Sequence, residues 1–110
     1  MKQGFVKVAS ATPRIRVADP VYNAQVICEQ AKEAAEHGAK IVVFPELCIT
    51  GYTCNDLFLQ ELLLEKAKEA LLTIAEETGQ LETLFLVGLP VDKDGRLYNV
   101  AAVLYRGRIL

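Results

Sequence analysis

Glu46 has the strongest claim to chemistry in this sequence. It lies in the stretch Phe44-Pro45-Glu46-Leu47-Cys48-Ile49-Thr50-Gly51-Tyr52, directly after the apolar β-branched run Ile41-Val42-Val43. Such a run reads as a buried strand. Pro45 has no N–H to give a sheet ladder, so it marks where the pairing frays. The exit from the carboxyl end of a parallel strand is where α/β folds place ligands and reacting groups. A carboxylate held there beside apolar neighbours acquires a raised pKa and can act as a general base. Spacing alone favours a plainer role for Glu46, as a helix N-cap or a solvated loop carboxylate. Cys48 and Cys54 are the thiols near it in sequence, and a base could activate either one. Small buried thiols are common, which is the plainer account of both. His37 is the one histidine of the chain, and no Ser-His or Cys-His pair built on it is convincing. Lys40 reads as a solvated strand end.

The elements that must position these residues run strand, helix, strand, loop, helix, strand, turn, strand. Phe5 to Ser10 reads as a first strand, followed by a loop from Pro13 to Val17. Asp19-Pro20 starts a helix, with an N-cap acceptor followed by proline at the first helical position. Val26, Ile27, Ala31, Ala34 and Ala35 fall near one face of it. His37-Gly38 ends this helix, the glycine at a left-handed stop and the histidine favourable to the helix dipole. Ala39 to Phe44 reads as a strand covered on both faces. A second helix is expected from about Asp56 to Thr78, capped by Asp56 and stopped by Gly79. Its apolar face comprises Leu59, Leu62, Leu63, Ala67, Ala70, Leu71, Ile74 and Ala75. Leu84 to Pro90 reads as a further buried strand. Asp92-Lys93-Asp94-Gly95 is turn chemistry, so Leu97 to Tyr105 should return antiparallel. Arg106-Gly107 is a tight turn, and Arg108-Ile109-Leu110 opens another strand.

The chain has 110 residues, 52% hydrophobic and 24% charged, which suits one small globular domain and excludes disorder. A net charge of −2 gives no electrostatic basis for binding nucleic acid or an anionic membrane. No apolar run is long enough to cross a bilayer, and Met1-Lys2-Gln3-Gly4 lacks a signal-peptide core. Three cysteines at these spacings suit neither a disulfide framework nor a metal knuckle, so a reduced, cytoplasmic protein is expected. No glycine-rich phosphate loop follows the first strand, where Ala9-Ser10-Ala11-Thr12-Pro13 stands.

Phe44-Pro45-Glu46-Leu47 followed by Gly51-Tyr52 resembles the glutamate motif of the nitrilase (carbon–nitrogen hydrolase) superfamily. The continuation Asp56-Leu57-Phe58 looks like the glutaminase domains of glutamine-dependent NAD synthetases. The resemblance implies an α/β fold, the N-terminal portion of an α-β-β-α sandwich. It implies Glu46 as general base and Tyr52 as a wall of the glutamine pocket, where the plainer role for Tyr52 is a loop aromatic on the core. Gly51 would be structural. A catalytic lysine and a cysteine nucleophile would lie beyond Leu110, so residues 1–110 are expected to be an N-terminal piece of a glutaminase domain without activity of its own. Leu97-Tyr98-Asn99 and the strand after it resemble the superfamily's hairpin. Glutamine would be the substrate and deamido-NAD a partner of the longer enzyme. Neither a metal nor a cofactor belongs to these residues; ATP and Mg belong to a separate synthetase domain. A homo-oligomer is expected. The alternatives are another amidase or carbamoylase of the superfamily, or a non-catalytic fold fragment.

Overall fold

The computed structural model describes residues 7–16, 19–45, 48–49, 57–94 and 96–110, without the side chains of 57–62, 92, 96 and 97. The elements are β1 (Val8–Ser10), α1 (Pro20–Glu36), β2 (Ile41–Val43), α2 (Leu57–Glu77), β3 (Leu84–Lys93), β4 (Arg96–Tyr105) and β5 (Arg108–Ile109). The strands form one sheet in the order β1-β2-β3-β4-β5. The first three run parallel, with Ala9 beside Val42 and Val42 beside Phe85. β4 and β5 join antiparallel. The expected α/β class and element order are therefore observed.

Connections between parallel strands of one sheet are almost always right-handed. Two in succession along a sheet in sequential order put both helices on the same face. The shared core shows this arrangement: Ile27 and Ala31 of α1 meet Ala67 and Ile74 of α2 over Val42, Phe85, Val87 and Leu104 of the sheet. The opposite face carries Val8, Val43 and Tyr105, all exposed, beside the half-buried Ile41, Leu84, Leu86 and Val103. Apolar side chains thus line both faces of the sheet, while α1 and α2 cover only one.

Local sequence sets the ends of these elements. Asp19 caps α1 by accepting from the Tyr22 N–H at 3.2 Å, with Pro20 in the first turn. At the other end Gly38 has φ of 85°, a left-handed angle that costs glycine little. Gly38 N–H donates to Ala35 and Ala39 N–H to Ala34, the paired bonds of a Schellman stop. The Lys7 ammonium covers the His37 carbonyl at 2.6 Å. Arg106 and Gly107 both have positive φ, 50° and 83°, the signature of a type I′ hairpin turn between β4 and β5.

Several expectations are corrected. The buried face of α1 is Pro20, Asn23, Ala24, Ile27, Cys28 and Ala31, so Ile27 and Ala31 lie on it as expected. Val26, Ala34 and Ala35 are only half-buried, with Ala34 packed at the margin of the core, because the helix is rotated to lay its small residues against α2 and the sheet. β2 is shorter than Ala39 to Phe44 and is not covered on both faces, since Val43 is exposed. β1 begins at Val8 among the described residues; Phe5 and Val6 lie outside them. α2 ends at Glu77, one residue before the expected Thr78 and just short of Gly79, which does not adopt a positive φ. A Cβ at Gly79 would lie 3.3 Å from the Glu76 carbonyl oxygen, tighter than most such contacts. The expected Asp56 cap lies outside the described residues, as do the side chains of Leu59 and Leu62.

An apolar sheet face without a helix layer drives association. Residues 1–110 expressed alone should sediment as dimers or larger species and bind a hydrophobic dye. A monodisperse monomer with a cooperative melt would refute this expectation.

Candidate functional site

The carboxyl ends of β1 and β2 open onto the same edge of the sheet, because the two strands are parallel. The amino end of α1 lies at that edge too, since the helix follows the short loop after β1. Three parts of the chain therefore meet there: residues 11–16, the first turns of α1, and the described residues 44–45 and 48–49.

The segment after β2 is pinned at several points. Phe44 is buried and its N–H donates to the Leu86 carbonyl at 2.9 Å. Pro45 is exposed, and its carbonyl accepts from the Cys48 N–H at 3.3 Å. Cys48 and Ile49 are fully buried in the core. The Ile49 N–H donates to the Gly88 carbonyl at 3.2 Å, where β3 runs alongside. The Asn23 amide donates to the Ile49 carbonyl at 2.7 Å. The same side chain donates to the Arg16 carbonyl and accepts from the Arg16 N–H, each at 2.7 Å. The Arg16 guanidinium also lies 3.9 Å from the centre of the Tyr22 ring, a cation–π contact next to this junction.

Glu46 and Tyr52 lie outside the described residues, as do Gly51, Cys54 and Asp56. What the structure gives is the frame on either side of Glu46: Pro45 before it and Cys48 after it, both in defined positions.

Cys48 is a wall of this frame rather than a nucleophile. Its thiol is completely buried and faces the Gly88 carbonyl at 3.6 Å. Burial pushes its pKa up to about 11 from an ordinary 9.0, which suppresses the thiolate that attack requires. Cys28 is buried on α1 and its pKa is also raised, by burial and then by the Glu77 charge. His37 sits at the end of α1 with its ring Nδ1 2.8 Å from the Glu33 carbonyl, and Lys40 is exposed, so both keep the structural roles expected of them. Among the described residues no group of three or more His, Cys, Asp and Glu could hold a metal. A cleft of about 530 Å³ lies between α1 and α2, lined by Cys28, Lys32, Lys66 and Glu77 among others; Phe44, Pro45, Cys48 and Ile49 are not among its described lining residues. The Lys32–Glu77 pair across it, 3.3 Å apart, is roughly half exposed and contributes little.

Asn23 is the residue that sequence reasoning missed. The available signal was a polar residue in register with an apolar stripe, at helical spacing from Pro20, Ala24, Ile27 and Ala31. A buried asparagine at such a position must find hydrogen-bond partners.

The carbon–nitrogen hydrolase family profile matches residues 7–110. The glutamine-dependent NAD(+) synthetase of Mycobacterium tuberculosis is 38% identical over 109 residues, which is 99% of this chain and 16% of that protein. The enzyme of the same name from Thermotoga maritima is 34% identical over 110 residues, 100% of this chain and 19% of that protein. The chain thus spans less than a fifth of the length of these relatives. The crystal structure of a glutamine-dependent NAD(+) synthetase from Cytophaga hutchinsonii superposes with a TM-score of 0.84 at 31% identity, over 94% of this chain and 18% of that one. An amidase from Nesterenkonia sp. matches with a TM-score of 0.78 at 24% identity, over 100% of this chain and 42% of that one, and shares the fold.

Two outcomes follow from the state of Cys48. In the native protein at pH 8 it should resist iodoacetamide while the denatured protein is labelled, as read by peptide mass spectrometry. Rapid labelling of the native thiol would contradict its burial. The unfolded thiol ionises from about pH 9, whereas the folded one keeps its proton toward pH 11. Its contribution to stability is therefore whole below pH 9 and is lost as pH rises toward 11. Thermal melts of Cys48→Ala should show a smaller decline over that window than wild type.

Proposed function

The chain belongs to the carbon–nitrogen hydrolase family, and from that premise we propose that it forms the amino-terminal part of the glutaminase domain of a glutamine-dependent NAD(+) synthetase. The observation that carries this reading is 38% identity to an enzyme of that name across 99% of the chain. The superposition on the Cytophaga hutchinsonii enzyme supports it, whereas the likeness to the amidase extends to the fold alone.

In this reading Glu46 is the general base. Its carboxylate takes the proton from a cysteine thiol supplied beyond these residues, and the thiolate attacks the side-chain amide carbon of glutamine. A lysine, also supplied beyond these residues, stabilises the resulting oxyanion. The carbon–nitrogen bond breaks and nitrogen leaves as ammonia, taking the proton from Glu46. Water, deprotonated by Glu46, then hydrolyses the thioester to glutamate and restores the thiol. Tyr52 lines the glutamine pocket. The ammonia passes to a synthetase domain, which uses ATP and Mg to amidate deamido-NAD. The complete enzyme is cytoplasmic and homo-oligomeric. Glu46 suits this chemistry because it follows a strand whose carboxyl end meets the amino end of α1, with pinned residues on each side.

In the full-length enzyme, Glu46→Gln should abolish glutamine-dependent NAD synthesis and glutamate release. Synthesis from added ammonium chloride should persist. Assays of glutamate and NAD in parallel check this, and unchanged glutamate release in the variant would sink the assignment.

A further inference from the structure

Asn23 is the fourth residue of α1 and is fully buried. Asparagine is a poor helix former, and an amide is costly to take out of water. An apolar side chain at this point of the stripe would serve the core of α1 better. The amide is instead committed to backbone atoms of two loops. Its oxygen accepts from Arg16 N–H, and its nitrogen donates to the carbonyls of Arg16 and Ile49.

The Ile49 contact matters most. Ile49 is held from both sides: its N–H by the Gly88 carbonyl of β3 and its C=O by Asn23. Cys48 before it is fixed by its N–H to the Pro45 carbonyl and by its thiol on Gly88. Cys48 is thus tied to β3 through Gly88, and Pro45 to Cys48, while the Asn23 side chain links Ile49 to α1 and to the loop after β1.

We infer that Asn23 is a positioning residue for the general base. It fixes Ile49, three residues after Glu46 in sequence, and does not itself touch substrate. The inference rests on the reading of Glu46 as that base. Reacting groups displaced by about 1 Å lose roughly a hundredfold in rate, so a slackened loop should be visible in kcat.

The test uses the full-length enzyme with Asn23→Asp, Asn23→Ser and Glu46→Gln. Asn23→Asp keeps the shape and the acceptor for Arg16 N–H but turns a bare carboxylate oxygen toward two carbonyls. Its glutamine-dependent kcat should fall roughly 10- to 100-fold at pH 8, with KM for glutamine within about threefold and ammonia-dependent synthesis unchanged. Asn23→Ser, which keeps one O–H donor, should lie between Asn23→Asp and wild type. A purely structural role would lower the melting temperature and weaken glutamine-dependent and ammonia-dependent synthesis together. The proposal is overturned if Asn23→Asp matches wild type while Glu46→Gln is inactive. It is also overturned if the loss is carried by KM, or if neither Asn23 variant melts cooperatively. Retained hydrolysis by Glu46→Gln would remove the general-base reading itself, which is a separate and distinguishable failure.

Discussion

The handedness of two crossovers decides where everything else in this chain lies. β1, α1, β2, α2 and β3 follow one another in a sequentially ordered parallel sheet. A right-twisted strand feeding a helix packs back on its sheet in one hand, so both helices fall on one face. The parallel direction of these strands brings their carboxyl ends to one edge, together with the amino end of α1. The residue proposed as base follows β2 at that edge, and the amide that anchors its loop comes from the helix that begins there.

Much of this was legible in the residues, for reasons that are local. The Asp19-Pro20 start, the Gly38 stop and the Arg106-Gly107 turn each depend on a backbone angle or an orphan N–H that few residue types satisfy. The apolar face of α2 was read correctly from Leu63 through Ala75 because its leucines and alanines repeat at helical spacing. The face of α1 was read only in part: Ile27 and Ala31 were placed on it, while Ala24 and Cys28 carry weak hydrophobic signals and Asn23 beside them reads as polar. Tertiary contacts decided the rotation of that helix. β2 illustrates another limit: a continuous apolar run says that both faces are apolar, not which of them a helix covers.

The site itself was legible as a motif rather than as an arrangement. The glutamate motif pointed to the loop after β2, and the family profile across residues 7–110 shows the family. Which groups hold the loop could not be read there, since Arg16, Asn23, Ile49 and Gly88 are scattered along the sequence and meet through backbone atoms. Burial also separates the thiols by chemistry. Cys48 lies two residues after the proposed base, yet desolvation keeps it protonated, so nearness in sequence to a carboxylate is no measure of reactivity.

The Asn23 bonds have a consequence for how this sequence can drift. Position 23 requires two N–H donors and one acceptor on a short planar side chain. Aspartate offers no donor when ionised, serine offers one, and glutamine carries the same amide a methylene too far out. The usable alphabet at position 23 therefore shrinks to a single letter. The positions it serves, 16 and 49, lend only main-chain atoms to the contact and stay free to vary in side chain. In this corner of the protein the specification of a loop is written on a helix, and the loop's own text is comparatively unconstrained.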